Sequence, residues 1–278
     1  MATCYRHPSR ETGVSCSSCG RPICPDCMTP TSVGMRCPEC AGQRTKVKTV
    51  RSFQRSEPRV TYALIIVNVV LFIASTAQGG GLVTNTSATS LINNLGLSAP
   101  AVDLQHHYYV LVTSGFIHFN LIHIGFNMYL LYLMGQMLEP VFGPVRFAAV
   151  YFTAMLAGAL GALLLSPNSL TGGASGAIFG LFGAAFVEQR KRGINPMQTG
   201  LGGLIIINLL ISVAIPGISI GDHIGGLIGG VLAAGALELG NRRRSLAVAL
   251  AVCAAICVAA VAGSLAAAHI GLPSGLGG

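Results

Sequence analysis

The chain has 278 residues, 52% of them hydrophobic and only 9% charged, with a formal net charge of +8. A soluble globular domain carries roughly 25% charged residues, so an ordinary soluble fold is excluded for most of the length. The charge is also uneven: residues 1–59 hold ten of the seventeen Lys and Arg and four of the nine acids, and beyond Arg59 the only basic residues are Arg146, Arg190, Lys191, Arg192, Arg242, Arg243 and Arg244.

The first 40 positions contain four pairs of metal-ligand type, Cys4-x2-His7, Cys16-x2-Cys19, Cys24-x2-Cys27 and Cys37-x2-Cys40. Eight such ligands suffice for two tetrahedral zinc sites. A disulfide framework is the alternative, disfavoured in the reducing compartment where the charge pattern puts this head. The short step from Cys19 to Cys24 favours a cross-brace, with pairs one and three on one ion and pairs two and four on the other; sequential pairing is the alternative. Too few apolar residues are present for a core, so metal would supply the folding energy. The segment resembles a B-box or RING-like zinc finger. Residues 1–43 are therefore read as a zinc-binding head with an unidentified cytoplasmic partner, and 44–59 as a basic linker suited to anionic lipid.

Seven apolar stretches follow, at about 60–77, 114–138, 145–165, 174–189, 200–216, 219–239 and 246–269. A helix needs about 20 residues to cross a bilayer, and lipid leaves the backbone no partner outside the helix. The predicted fold is thus an all-α polytopic membrane protein, a six-helix core over 60–240 plus a seventh helix. With the N-terminus in the cytoplasm, the linker, Arg146, Arg190–Arg192 and Arg242–Arg244 all lie inside, while the outer loops and the tail at 272–278 have no Lys or Arg. The opposite orientation breaks the positive-inside rule. The positive charge therefore reports topology, and no nucleic-acid partner is expected. The first 59 residues contain no apolar stretch of signal-peptide type.

Polar groups inside spans are costly and point to function. The second span carries "HFNLIHIGFN", with His118, His123 and Asn127; the fourth opens at Ser175 within "GGASGAIFG"; the sixth opens with "GDHIGGLIGG" around His223. In the topology above, all three spans start at the outer face. Gly176 and Gly180, like Gly226 and Gly230, have the G-x3-G spacing of close helix pairs, which lets the fourth and sixth spans bring Ser175 and His223 within hydrogen-bonding reach. The set comprises a nucleophile, a base and two oxyanion donors. Asp222 adjoins the base, but neighbouring helical residues point about 100° apart, so it is not expected to reach the imidazole of His223. Elsewhere, Asn68 and Asn208 read as interhelical hydrogen bonders, Cys253 and Cys257 as packing thiols, and Glu139 and Arg146 as an ion pair across a short inner turn.

On the motifs His118-x4-His123-x3-Asn127, Gly173-x-Ser175-Gly176 and His223-x2-Gly226-x3-Gly230, residues 60–240 resemble the rhomboid family of intramembrane serine proteases. The resemblance implies Ser175 as nucleophile, His223 as base, and His123 and Asn127 as oxyanion donors. It also implies Gly173 keeping the approach open, His118 in support and Phe179 packed on the base. No catalytic cofactor is implied, and the substrates would be transmembrane proteins cut in a bacterial plasma membrane, from a site opening on the outer side with the C-terminus. The first outer loop lacks the family's Trp and Arg, with Tyr108 and Val110 instead, and Asp222 replaces a small residue. A catalytically inactive rhomboid-like protein that binds membrane proteins is the alternative, and a small transporter is a further one.

Overall fold

The computed structural model describes residues 2–32, 34–42, 57–79 and 89–271; most of the expected basic linker and the tail at 272–278 lie outside them. The chain divides into two compact units, residues 1–55 and 56–278.

In the first unit, antiparallel ladders pair Ala2–Thr3 with Glu11–Thr12 and Thr29–Thr31 with Gly34–Arg36. A short helix, Pro38–Gly42, follows. Among the described residues of this unit, the buried cluster consists of Ile23 and six cysteines. A single aliphatic side chain cannot offset the ordering of some forty residues, so the thiols stand where a core would be.

The second unit is helical. Its long helices are α1 (Arg59–Ala77), α2 (Leu121–Phe142), α3 (Pro144–Leu165), α4 (Ser175–Lys191), α5 (Leu201–Ala214), α6 (Ile220–Arg242) and α7 (Leu246–Ile270). Five of them, α1, α2, α3, α6 and α7, are long and apolar enough to cross a membrane. At 1.5 Å per residue, α4 and α5 extend only about 25 and 21 Å, against a hydrocarbon core of about 30 Å. A helix that short has an end within the bilayer thickness. Large apolar side chains such as Ile66 and Ile73 on α1 and Leu210 and Val213 on α5 remain exposed, as expected of surfaces that meet lipid.

The centre of the bundle is α6, packed along both α3 and α4. Its glycines make this possible: a Cβ on Gly226 would collide with the Gly176 carbonyl, and one on Gly230 with the Gly180 carbonyl. The two G-x3-G motifs are therefore the seam itself, where backbone meets backbone. α7 packs on α3 and α6, and its C-terminal end meets the short helix Ala99–Asp103, with His269 Nδ1 3.2 Å from Asp103.

Three sequence expectations are corrected. The second span was expected from residue 114, but α2 starts at Leu121, because Asn120 caps it by accepting the His123 N–H at 2.8 Å. Residues 114–116 form a separate 3-10 turn, so His118 precedes the helix. Glu139 does not pair with Arg146. Its buried carboxylate accepts the Val60 and Thr61 N–H groups, each at 2.9 Å, and the Thr61 hydroxyl at 2.7 Å. It thereby satisfies the unpaired N–H groups at the start of α1, where negative charge is also favoured by the helix dipole. Asn68 and Asn208 donate to carbonyls of their own helices, Leu64 at 2.7 Å and Leu204 at 2.8 Å.

Candidate active site

The approach to α4 is built by the turn before it. Gly173 has φ +135°, a value open to glycine and strained for a side chain. Its N–H donates to the Ser114 carbonyl at 2.9 Å, and the next N–H, of Ala174, donates to His118 Nε2 at 3.4 Å. His118 is 1% exposed, so its ring ties the 3-10 turn region to the start of α4 from inside the protein. Helix α4 then opens with Ser175, whose side chain is partly exposed.

His123 stands in the first turn of α2. Its ring stacks on Phe119, with centroids 5.9 Å apart, and meets His118 edge-on at 4.9 Å. A Cβ added to Gly173 would lie 2.8 Å from His123 Nε2 and 3.6 Å from Ser175 Oγ. The imidazole nitrogen and the serine hydroxyl therefore border one small space, which the missing side chain of Gly173 leaves open. Asn127, one turn further along α2, is buried and donates Nδ2 to the His123 carbonyl at 2.9 Å.

From the far side comes α6. His223 stacks on Phe179 of α4, centroids 4.1 Å apart and planes 17° from parallel. Its neighbour Asp222 faces α4 instead, filling the room left by glycine at Gly158 and Gly176, where a Cβ would collide with the carboxylate. The Ser175 hydroxyl donates to Asp222 Oδ2 at 3.2 Å, and among the described residues no hydrogen bond joins Ser175 to His223. The 100° offset thus keeps Asp222 off the imidazole, as expected, and turns it onto the serine, which the sequence reading missed.

A second partner was also missed. His223 Nδ1 lies 2.6 Å from Ser212 Oγ on α5, and Ser212 is 4% exposed. The sequence signal was present in Asn208 and Ser212, which stand i, i+4 on an otherwise aliphatic helix and so share a face.

In the N-terminal unit, Cys4, His7, Cys24 and Cys27 form one cluster and Cys16, Cys19, Cys37 and Cys40 the other, each with ligand atoms within 4.8 Å of one another. Pairs one and three, and two and four, thus come together in the cross-brace order, and all these cysteines are free thiols. The donor set fits a soft divalent cation. The Cys37 N–H lies 3.3 Å from Cys16 Sγ and holds that thiol down to about 6. Burial together with Cys24 and Cys4 pushes Cys27 up to about 11, and Cys37 and Cys19 push Cys40 up to about 12. Three adjacent thiols in one cluster and four in the other cannot all ionise beside one another unless a cation offsets their repulsion. Both clusters are therefore able to hold a metal ion.

Residues 105–240 match the family model described as the rhomboid domain. The chain is 33% identical over 190 residues to rhomboid protease GluP of Bacillus subtilis, covering 67% of this chain and 36% of that protein. It is 30% identical over 179 residues to rhomboid-like protease 1 of Toxoplasma gondii, covering 62% and 61% respectively. It is also 32% identical over 127 residues to inactive RHOMBOID-like protein 8 of Arabidopsis thaliana, covering 46% and 36%. The chain thus spans between 36% and 61% of the length of these relatives.

Proposed function

The chain belongs to the rhomboid family, and from that premise we propose that it is an intramembrane serine endopeptidase with Ser175 as nucleophile and His223 as general base. The observation that carries this reading is the meeting of α4 and α6 at their glycine seam. Ser175 opens α4 beside the His123 ring, and His223 of α6 stacks on Phe179, one turn along α4 from Ser175.

The chemistry runs as follows. The Ser175 hydroxyl leaves Asp222 and turns to His223. As Oγ bonds to the scissile carbonyl carbon, its proton passes to His223 Nε2 and the carbonyl electron pair becomes an oxyanion. His123, the free amide hydrogen of Asn127 and the Ser175 N–H are the donors proposed for that charge. Collapse of the intermediate re-forms the carbonyl and breaks the C–N bond, and the leaving amine takes the proton from Nε2. Water then attacks the acyl-enzyme, giving its proton to His223, and Ser175 leaves with that proton restored. Because helical carbonyls are tied up in hydrogen bonds, a transmembrane substrate must unwind locally to present one. Its segment is expected to enter from the bilayer, with water reaching the site from the outer side.

The N-terminal unit is proposed to hold two zinc ions, by Cys4, His7, Cys24 and Cys27 and by Cys16, Cys19, Cys37 and Cys40. The ions would be structural, and the head a docking module for a cytoplasmic partner. A second reading, a binding protein without protease activity, draws support from the Asp222 hydrogen bond that engages Ser175 and from the relative named inactive. Fluorophosphonate probe applied to purified protein separates the two. Covalent labelling that disappears in Ser175→Ala supports the protease, and an unlabelled wild type supports the binding protein.

A further inference from the structure

Ser212 lies on α5, outside the three motifs that carry the proposed chemistry, yet it makes the shortest polar contact of His223. Its Oγ is 2.6 Å from His223 Nδ1 and 2.7 Å from the Asn208 carbonyl oxygen. A serine hydroxyl has one proton to give and lone pairs to receive with. A carbonyl oxygen only accepts, so that single proton goes to Asn208. Ser212 must then accept from His223, which places the ring proton on Nδ1. A neutral imidazole protonated at Nδ1 presents an unprotonated Nε2. That is the nitrogen a base needs toward Ser175.

We propose that Ser212 is a positioning residue of the proposed protease. It selects the Nδ1–H tautomer of His223 and, together with Phe179 stacked on the ring, fixes the direction in which Nε2 points. This rests on the serine-protease reading of the site. The arrangement serves both halves of the reaction. When His223 takes a proton on Nε2, its Nδ1–H still donates to Ser212, so the neutral base and the imidazolium use the same contact and no group has to move. The Asn208 carbonyl, one turn back on α5, in turn orients the Ser212 hydroxyl. Ser212 and His223 are both buried, at 4% and 6% exposure, which leaves little room for water to replace the serine.

The test has two arms. In the first, protein carrying 15N-labelled histidine is studied by NMR, with the His223 signals identified by their absence from His223→Gln. Wild type should show a protonated Nδ1 and a pyridine-type Nε2, Ser212→Ala should shift toward the Nε2–H form or a mixture, and Ser212→Thr should restore the wild-type pattern. In the second, cleavage of a transmembrane substrate in detergent should lose about tenfold in kcat in Ser212→Ala, the scale of one lost hydrogen bond in a dry site, with KM within about twofold, and Ser212→Thr should recover most of it. A wild-type ring protonated at Nε2, or a Ser212→Ala protein with the wild-type tautomer, overturns the assignment whether or not the protein cleaves. Correct tautomers with no Ser175-dependent cleavage would instead remove the protease reading and leave Ser212 as the group that sets the ring.

Discussion

At the scale of single residues, polar groups within apolar spans singled out Ser175, His223, His123 and Asn127, and the family resemblance added Gly173 and Phe179, the latter stacked on His223 in the structure. The contacts that Ser212 and Asp222 make with other helices were not legible. Both depend on which helix faces which, and rotation about a helix axis is not written in local spacing. The 100° rule correctly separated Asp222 from the His223 ring but said nothing of Ser175 on the neighbouring helix, whose hydroxyl it accepts at 3.2 Å. His123 and Asn127 are proposed to hold the oxyanion, and loss of such a donor lowers turnover by about 10²–10³. The His123→Ala, Asn127→Ala double variant should therefore turn over a model substrate at least about a hundredfold more slowly than wild type, with substrate binding retained. Turnover at the wild-type rate would remove both residues from the site.

At the scale of elements, the apolar runs located the seven long helices of the described residues, since a membrane helix needs a continuous stretch and the breaks between them are polar or Gly- and Pro-rich. The start of α2 was placed too early because Phe116, Ile117 and Phe119 extend the apolar run upstream, while the Asn120 cap starts the helix at Leu121. The role of Glu139 was hidden for another reason. It closes the N-terminus of a helix 78 residues away in sequence, and only tertiary structure brings the two together. The glycine seam, by contrast, was readable, and it carries an expected outcome. Gly230→Val puts a branched side chain where a Cβ already collides with the Gly180 carbonyl. Overpacking of this kind costs typically about 1–3 kcal/mol, and separating α4 from α6 also moves Ser175 relative to His223. Thermal unfolding in detergent should show a lowered midpoint together with lost activity. Gly235→Val on the same helix, where the added Cβ would meet nothing within 4 Å, should change little.

At the scale of the whole molecule, the cysteine pairs announced a metal-organised head and the Lys and Arg distribution announced an orientation. The cross-brace order of the ligands is now visible in the two clusters, while nothing in the sequence identifies what the head binds. Metal analysis of carefully reduced protein should return two zinc ions per chain, and Cys16→Ser should reduce this by one while leaving the Cys4, His7, Cys24 and Cys27 site loaded. One ion or none in the wild type would contradict the two-site reading. Orientation is checked by single cysteines introduced at Ser169 and Asn195, each exposed between long helices. In intact cells an impermeant thiol reagent should label position 169 and spare position 195, and the reverse pattern would put the proposed site on the cytoplasmic side. The central claim, that Ser175 and His223 together hydrolyse peptide bonds within the membrane, is tested most directly by incubating purified protein in detergent with a model transmembrane substrate. Wild type should produce two fragments. Ser175→Ala, His223→Ala and the double variant should each produce none, with the double no worse than either single, because residues acting as one unit are lost together. Fragments formed at an undiminished rate by the Ser175→Ala protein would contradict it.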